Sequence, residues 1–362
     1  MTVSVTPLQK VKDFMKQKEI DGVLFRTRSN FSWLTGGKDN HIVHTTELGV
    51  ADLLILPEKK YCITSKMESA RIHDEELIGL DYEFIATEWY ENQDKAIEKL
   101  CEGKTIASDV PFSHFLDFGR ELTGLRFTLN EKEINRYRLL SQKAAGAVES
   151  TCREIEPGMT EFEIAAHLAA KVMKDGMNPH VILVSTDDRV FKYRHPIPTE
   201  KKLEEYAMIV LCAEKGGLVS NVTRFVHFGA LPEELAVNKG KLMQIDVAMN
   251  AVTRPGTPIK DVLQKGFDTY SEVGYPDDWR YLHQGGPTGY ATREFIATPD
   301  MEDIVHLHQA FAWNPAIRGI KSEDTILVGE DDNEVLTHTG EWVYLETEHN
   351  GKKYLRPDIL IR

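Results

Sequence analysis

The sequence predicts a mixed α/β (α+β) chain folded as two consecutive domains, and three observations carry that prediction. Its 362 residues exceed what one ordinary core organises. Residues 1 to 128 alternate short apolar runs with amphipathic helical stretches, the pattern of an α/β layer domain. From Asn130 a long charged helix replaces that alternation, which sets the domains at 1–128 and 129–362.

In the first domain, Gly22 to Phe25, Asp52 to Leu56 and Lys104 to Ser108 read as strands, and Pro7 to Gln17 and Asp94 to Cys101 as helices. Between the first two strands, SNFSWLTGGKDNHIVHTTELG is rich in turn formers and aromatics and reads as a surface loop system able to line a pocket. The second domain opens with NEKEINRYRLLSQKAAGAVESTCREI, whose first-turn acids suit the positive end of a helix dipole.

An internal echo follows. Pro157-Gly158 precedes a helix over Glu161 to Met173, and Pro255-Gly256 precedes another over Ile259 to Glu272. In each copy a helix, a Pro-Gly turn and a second helix come in that order, with a threonine placed to cap the second helix.

Composition narrows the function classes. Hydrophobic residues make up 41% and charged residues 28%, as in ordinary globular chains, and no apolar run is long enough to cross a bilayer. The N-terminus reads as a helix rather than a secretion signal, so an intracellular, cytoplasmic protein is expected. Net charge is −14, with the basic residues scattered, which argues against a nucleic-acid partner. Cys62, Cys101, Cys152 and Cys212 form no CxxC pair and are expected to be reduced. No GxSxG elbow and no Walker sequence is present.

Taken in order, YAMIVLCAEKGGLVSNVTRFVHFG, YLHQGGPTGYATRE, FAWNPAI and GIKSEDTILVGEDDNEVLT, together with the N-terminal NFSWLTG segment, resemble the metallopeptidase clan of creatinase, aminopeptidase P, prolidase and methionine aminopeptidase. Ser322 to Val328 is similar to the strand that carries the family's final metal-binding glutamate. The resemblance implies a creatinase-like N-terminal domain and a C-terminal pita-bread fold of two pseudo-symmetric halves, usually in a homodimer.

The family's usual chemistry implies two aspartates, one histidine and two glutamates around a pair of metal ions. At those positions this chain has Val210, Asn221, Gly286, Asn314 and Glu323. One carboxylate with two neutral amides compensates two dications poorly, so no metal and no cofactor is expected. His283 stands three residues from Gly286 but lacks anionic partners.

Creatinase is the family's precedent for catalysis without metal, and His195 matches its catalytic histidine by spacing to the following strand. Imidazole suits proton transfer near neutral pH. The resemblance therefore implies a catalytic set of His195, Glu323 and Asn314, with Asn221, Arg224, His283, Arg293, Glu294 and His44 as substrate contacts. Arg224 equally suits a structural pair with Glu294 or Glu323, and Arg293-Glu294 stands where relatives often carry histidine-glutamate. In the N-terminal loop, Arg26, Arg28 and His41 are alternatives to His44.

Three readings stay open: a metal-independent hydrolase of an amide or amidine C–N bond in a small carboxylated molecule, an Xaa-Pro metallopeptidase, and a non-catalytic relative that binds a peptide or protein. The first two take a small-molecule or short-peptide substrate.

Overall fold

A computed structural model describes residues 5–362. Two compact units divide it, one reaching to Glu133 and including Gly216–Leu218, the other made of Ile134–Lys215 and Val219–Arg362.

The first unit is built on a six-stranded mixed sheet in the spatial order Glu83–Thr87, Lys60–Ser65, Leu48–Ile55, Gly22–Thr27, Ile106–Ser108, Leu116–Asp117. Leu24, Leu54, Ile63 and Ile106 from its strands pack on Ile97 from the helix Gln93–Leu100. The segment expected as a loop differs in its first half, which is the helix Arg28–Thr35. Thr27 caps it by accepting from the Asn30 N–H, Gly36 ends it at φ 76°, and Phe31 and Trp33 are fully buried along it. Burial of these aromatics outweighs the turn-forming residues around them.

In the second unit the echo becomes backbone geometry. Gly158 N donates to Leu203 O and Leu203 N to Met159 O at 2.7 and 2.8 Å, and in the other half Gly256 N donates to Val305 O and Val305 N to Thr257 O at 2.8 and 2.9 Å. Glu161 N to Lys201 O and Ile259 N to Asp303 O form a third matched pair, both 2.9 Å. Each Pro-Gly turn holds its glycine at positive φ, 96° and 85°, so the two helix entrances repeat bond for bond. The caps differ. Thr160 forms a full capping box with Glu163, whereas the helix Ile259–Glu272 begins at Pro258 and takes no side-chain cap.

The strands Tyr206–Lys215 and Leu218–His227 turn at Gly216-Gly217 and stand in a four-stranded sheet with Asn178–Thr186 and Leu360–Ile361. A second four-stranded sheet runs Gly285–Thr288, Ala310–Trp313, Asp324–Leu327, Glu334–Val335. The two meet where Thr223 N donates to Glu323 O at 3.0 Å, and where Asn221 N donates to Thr325 Oγ1 at 2.8 Å. The core behind them includes Val210, Phe225, Leu242, Ile245, Phe311 and Trp313.

One buried acid fixes the strap that carries His195. Glu161, fully buried at the start of the helix Glu161–Lys174, accepts from Thr186 N and Oγ1, from Arg189 Nε, and from Thr199 N and Oγ1 at 2.7 to 3.1 Å. The strand end and the far end of the strap therefore share one carboxylate. Arg189 also donates to Ile197 O at 2.8 Å. Glu161→Gln keeps the shape but replaces two of these acceptor positions with an amide donor, and should lower the unfolding free energy by about 2–4 kcal/mol in urea denaturation.

Candidate functional site

Asn221, Asn314 and Glu323, in or beside neighbouring strands, turn toward one cation. The guanidinium of Arg293 donates from Nη1 to Asn221 Oδ1 at 3.0 Å, and from Nη2 to Asn314 Oδ1 at 3.2 Å and Glu323 Oε1 at 2.8 Å. Both amides are oriented by their other ends: Asn221 Nδ2 donates to Thr288 Oγ1 at 2.9 Å and Asn314 Nδ2 to His283 O at 3.1 Å. Their oxygens thus face the cation and are not interchangeable with their nitrogens.

Glu323 is shared. Its Oε2 accepts from Thr223 Oγ1 at 2.8 Å and lies 2.7 Å from Lys321 Nζ, while Oε1 is held by Arg293. Burial alone would push this carboxyl up, but the attraction of Lys321 and Arg293 and their hydrogen bonds outweighs it and holds the group at about 2. Two cations therefore face one ionised carboxylate, and the cluster is net positive.

The two imidazoles lie at the edge, with ring centroids 5.8 Å apart. Burial, with the positive charge of Lys321 and Arg293, lowers His195, and Glu323 opposes this only in part. His283 is driven further, to about 4, first by burial and then by Arg293 and His195. Its Nδ1 is buried without a hydrogen-bond partner. Near neutral pH both rings are uncharged and able to accept a proton. Burial, with Glu323 next in weight, pushes the Cys212 thiol up to about 12, so it is no thiolate nucleophile.

His195, His283, Asn221, Asn314, Glu323 and Arg293 thus form one constellation. Arg224 does not join it and corrects the expected substrate contact: its side chain is fully buried and bonded to Asp324 Oδ1 at 2.9 Å, Glu149 Oε1 at 3.4 Å and Thr337 O at 2.9 Å. The physical reason is strand alternation, which turns Arg224 and Asp324 to the face opposite Thr223 and Glu323. Neither structural partner expected for it, Glu294 or Glu323, is the one it uses. Glu294 instead accepts from Tyr290 N at 2.8 Å and closes its own loop. His44 lies exposed in the first unit, its ring 4.2 Å from that of His41. Arg26 is paired with Asp52 and Asp94, and Arg28 with the His44 carbonyl.

Lys321, Thr223 and Thr288 were missed in the sequence. Lys321 had a legible signal, because it stands two residues before Glu323 in extended chain, the spacing that returns a side chain to the same face. Gly286 also has a structural cause. At φ 155° its Cβ would lie 2.6 Å from Phe295 O, so no side chain, histidine included, fits there without moving the backbone. Among the described residues, no three His, Cys, Asp or Glu side chains are grouped to hold a metal ion.

Comparison with known proteins gives this chain relatives. The model of metallopeptidase family M24 matches residues 135–330, and that of the creatinase/prolidase N-terminal domain matches residues 7–140. An uncharacterized peptidase of Staphylococcus haemolyticus is 26% identical over 247 residues, covering 65% of this chain and 69% of its own. The fold is similar to that of the prolidase from Pyrococcus horikoshii, with a TM-score of 0.78 and 20% identity over 92% of this chain and 98% of that one. It is equally similar to the X-Pro aminopeptidase from Thermotoga maritima, with a TM-score of 0.78 and 18% identity over 98% of this chain and 99% of that one.

The depressed groups fix how stability varies with pH. His283 has an ordinary value of 6.5 and a folded value of about 4, so below 6.5 the unfolded chain binds a proton that the folded chain refuses. Stability is complete above 6.5 and falls as pH drops toward 4; Glu323 adds a second loss between 4.5 and about 2. The melting temperature of His283→Asn, followed from neutral to acid pH, should fall less steeply than that of the wild type over the first window.

Proposed function

The chain belongs to metallopeptidase family M24, and from that premise we propose that it is a metal-independent hydrolase of an amide or amidine C–N bond in a small, carboxylated substrate. One observation carries the reading: the site's carboxylate has both oxygens engaged by protein cations, while two imidazoles beside it stay neutral.

The residues do not fit a pair of divalent ions. Asn221 and Asn314 offer amide oxygens already bonded to Arg293, Gly286 has no room for an imidazole, Val210 is buried in the apolar core, and Glu323 is paired twice. Hard dications require several anionic oxygens, and a guanidinium among the candidate donors repels them.

In this reading His195 is the general base. It takes a proton from water as the oxygen attacks the substrate carbon, and returns that proton to the leaving nitrogen as the C–N bond breaks. The positive charge of Arg293 and Lys321 favours a substrate carboxylate and the negative charge that develops on the attacked carbon's substituent. Glu323, too acidic at about 2 to accept a proton, fixes the two cations. Asn314 and Asn221 hold Arg293 from the other side. A homodimer is part of the reading, and sedimentation measures it.

The names of the prolidase and X-Pro aminopeptidase relatives favour a second reading, an Xaa-Pro metallopeptidase. One experiment separates the two. Enzyme dialysed against chelator is screened on N-acyl amino acids, guanidino acids and Xaa-Pro dipeptides, with metal content measured alongside. Hydrolysis that survives dialysis, and that falls by on the order of 10²–10⁴-fold in His195→Ala, is expected. Two ions per subunit and chelator-sensitive cleavage of Xaa-Pro dipeptides would establish the metallopeptidase instead.

A further inference from the structure

We infer that Arg293 and Lys321 are a covalently attached cation pair bridged by Glu323, standing in the electrostatic place of a metal pair, and that the nest around Arg293 is a guanidinium site. Glu323 gives one oxygen to each cation, Oε1 to Arg293 at 2.8 Å and Oε2 to Lys321 at 2.7 Å. A carboxylate that bridges two positive centres is what a dinuclear site would demand of it, and here both centres are side chains.

The nest has the shape of its occupant. Four oxygens surround the two terminal nitrogens of Arg293: Asn221 Oδ1 at 3.0 Å, Asn314 Oδ1 at 3.2 Å, Glu323 Oε1 at 2.8 Å and the Thr292 carbonyl at 2.6 Å. The two terminal nitrogens of a planar fork, with their fixed donor directions, reach all four of these acceptors, while the Arg293 Nε is buried without a hydrogen-bond partner. Asn221 and Asn314 are locked with their oxygens inward by Thr288 and the His283 carbonyl, so the acceptors persist when the cation is removed. The side chain of Arg293 is only 11% exposed and that of Glu323 4%, so loss of the cation leaves buried acceptors and takes from Glu323 one of its two cations.

The inference goes beyond hydrolysis and holds whether or not the site turns a substrate over, so its test reads stability and ion uptake. Wild-type protein is expected to melt at the same temperature with manganese, cobalt or chelator. Arg293→Ala is expected to melt about 5–10 °C lower, and millimolar guanidinium chloride to restore it saturably, as for a ligand of the folded state. Equal urea should not restore it, and in the wild type guanidinium should only destabilise. Should Arg293→Ala yield no folded protein, its refolding yield with and without guanidinium gives the same comparison, and Arg293→Lys, which keeps the charge but not the fork, is expected to fold and melt below the wild type. An Arg293→Ala protein that melts like the wild type, one that guanidinium and urea affect alike, an Arg293→Lys protein at the wild-type temperature, or a wild type stabilised by manganese would each overturn the inference.

Discussion

A carboxylate cannot stay ionised in a protein interior without charge to match it, and at Glu323 that requirement organises everything nearby. Burial disfavours the anion more than any single neighbour favours it, so two cations must converge before the group sits at about 2. Once Lys321 and Arg293 are drawn in, the balance is positive, and the remaining polar residues must suit a cation. Amides at 221 and 314 do so without adding charge, and the imidazoles of His195 and His283 stay neutral because burial disfavours the charged ring and protonation would add to the excess.

The same strands build a second ionic system on their other face. Asp324 lies next to Glu323 in sequence, yet accepts from Arg224, Arg356 and Thr337 within 2.9 Å. Burial again opposes ionisation, and the two arginines again hold the carboxyl well below the usual carboxylate range. Adjacent acids, each gripped by two cations on opposite faces, fix the orientation of this strand. A shift of one residue would bury each acid among the wrong partners, so the pairing also sets register. This network is structural, with Arg224 fully buried and none of its charge available to a ligand.

Much of the architecture was legible because its signals are local. The Pro-Gly turns, the helix Ile259–Glu272 and the strand-sized apolar runs follow from periodicity and from glycine's freedom at positive φ. The helix Arg28–Thr35 was not, because its stability comes from burying Phe31 and Trp33, a tertiary effect that turn propensity does not report. In the site, the residue types at 195, 221, 286, 314 and 323 stood in the sequence, but their mutual use did not. That Asn221, Asn314 and Glu323 all turn to Arg293 depends on strands far apart in the chain. Arg224 illustrates the limit in reverse, since only the pleat decides which side of the sheet it serves.

The amides themselves can be read as consequences of the arginine. An asparagine has one accepting and one donating end, and at both positions each end is used: oxygen to Arg293, nitrogen to Thr288 or to the His283 carbonyl. A carboxylate of the same shape would set an acceptor against the His283 carbonyl, a repulsive contact in a buried place. The pattern of Asn221, Asn314 and an unsubstituted Gly286 is therefore self-consistent around the terminal nitrogens of a guanidinium, with both asparagine oxygens turned to them and only the Nε left without an acceptor. That consistency follows from the geometry, because both asparagines point their accepting oxygens at a common partner and keep an acceptor of their own for each nitrogen.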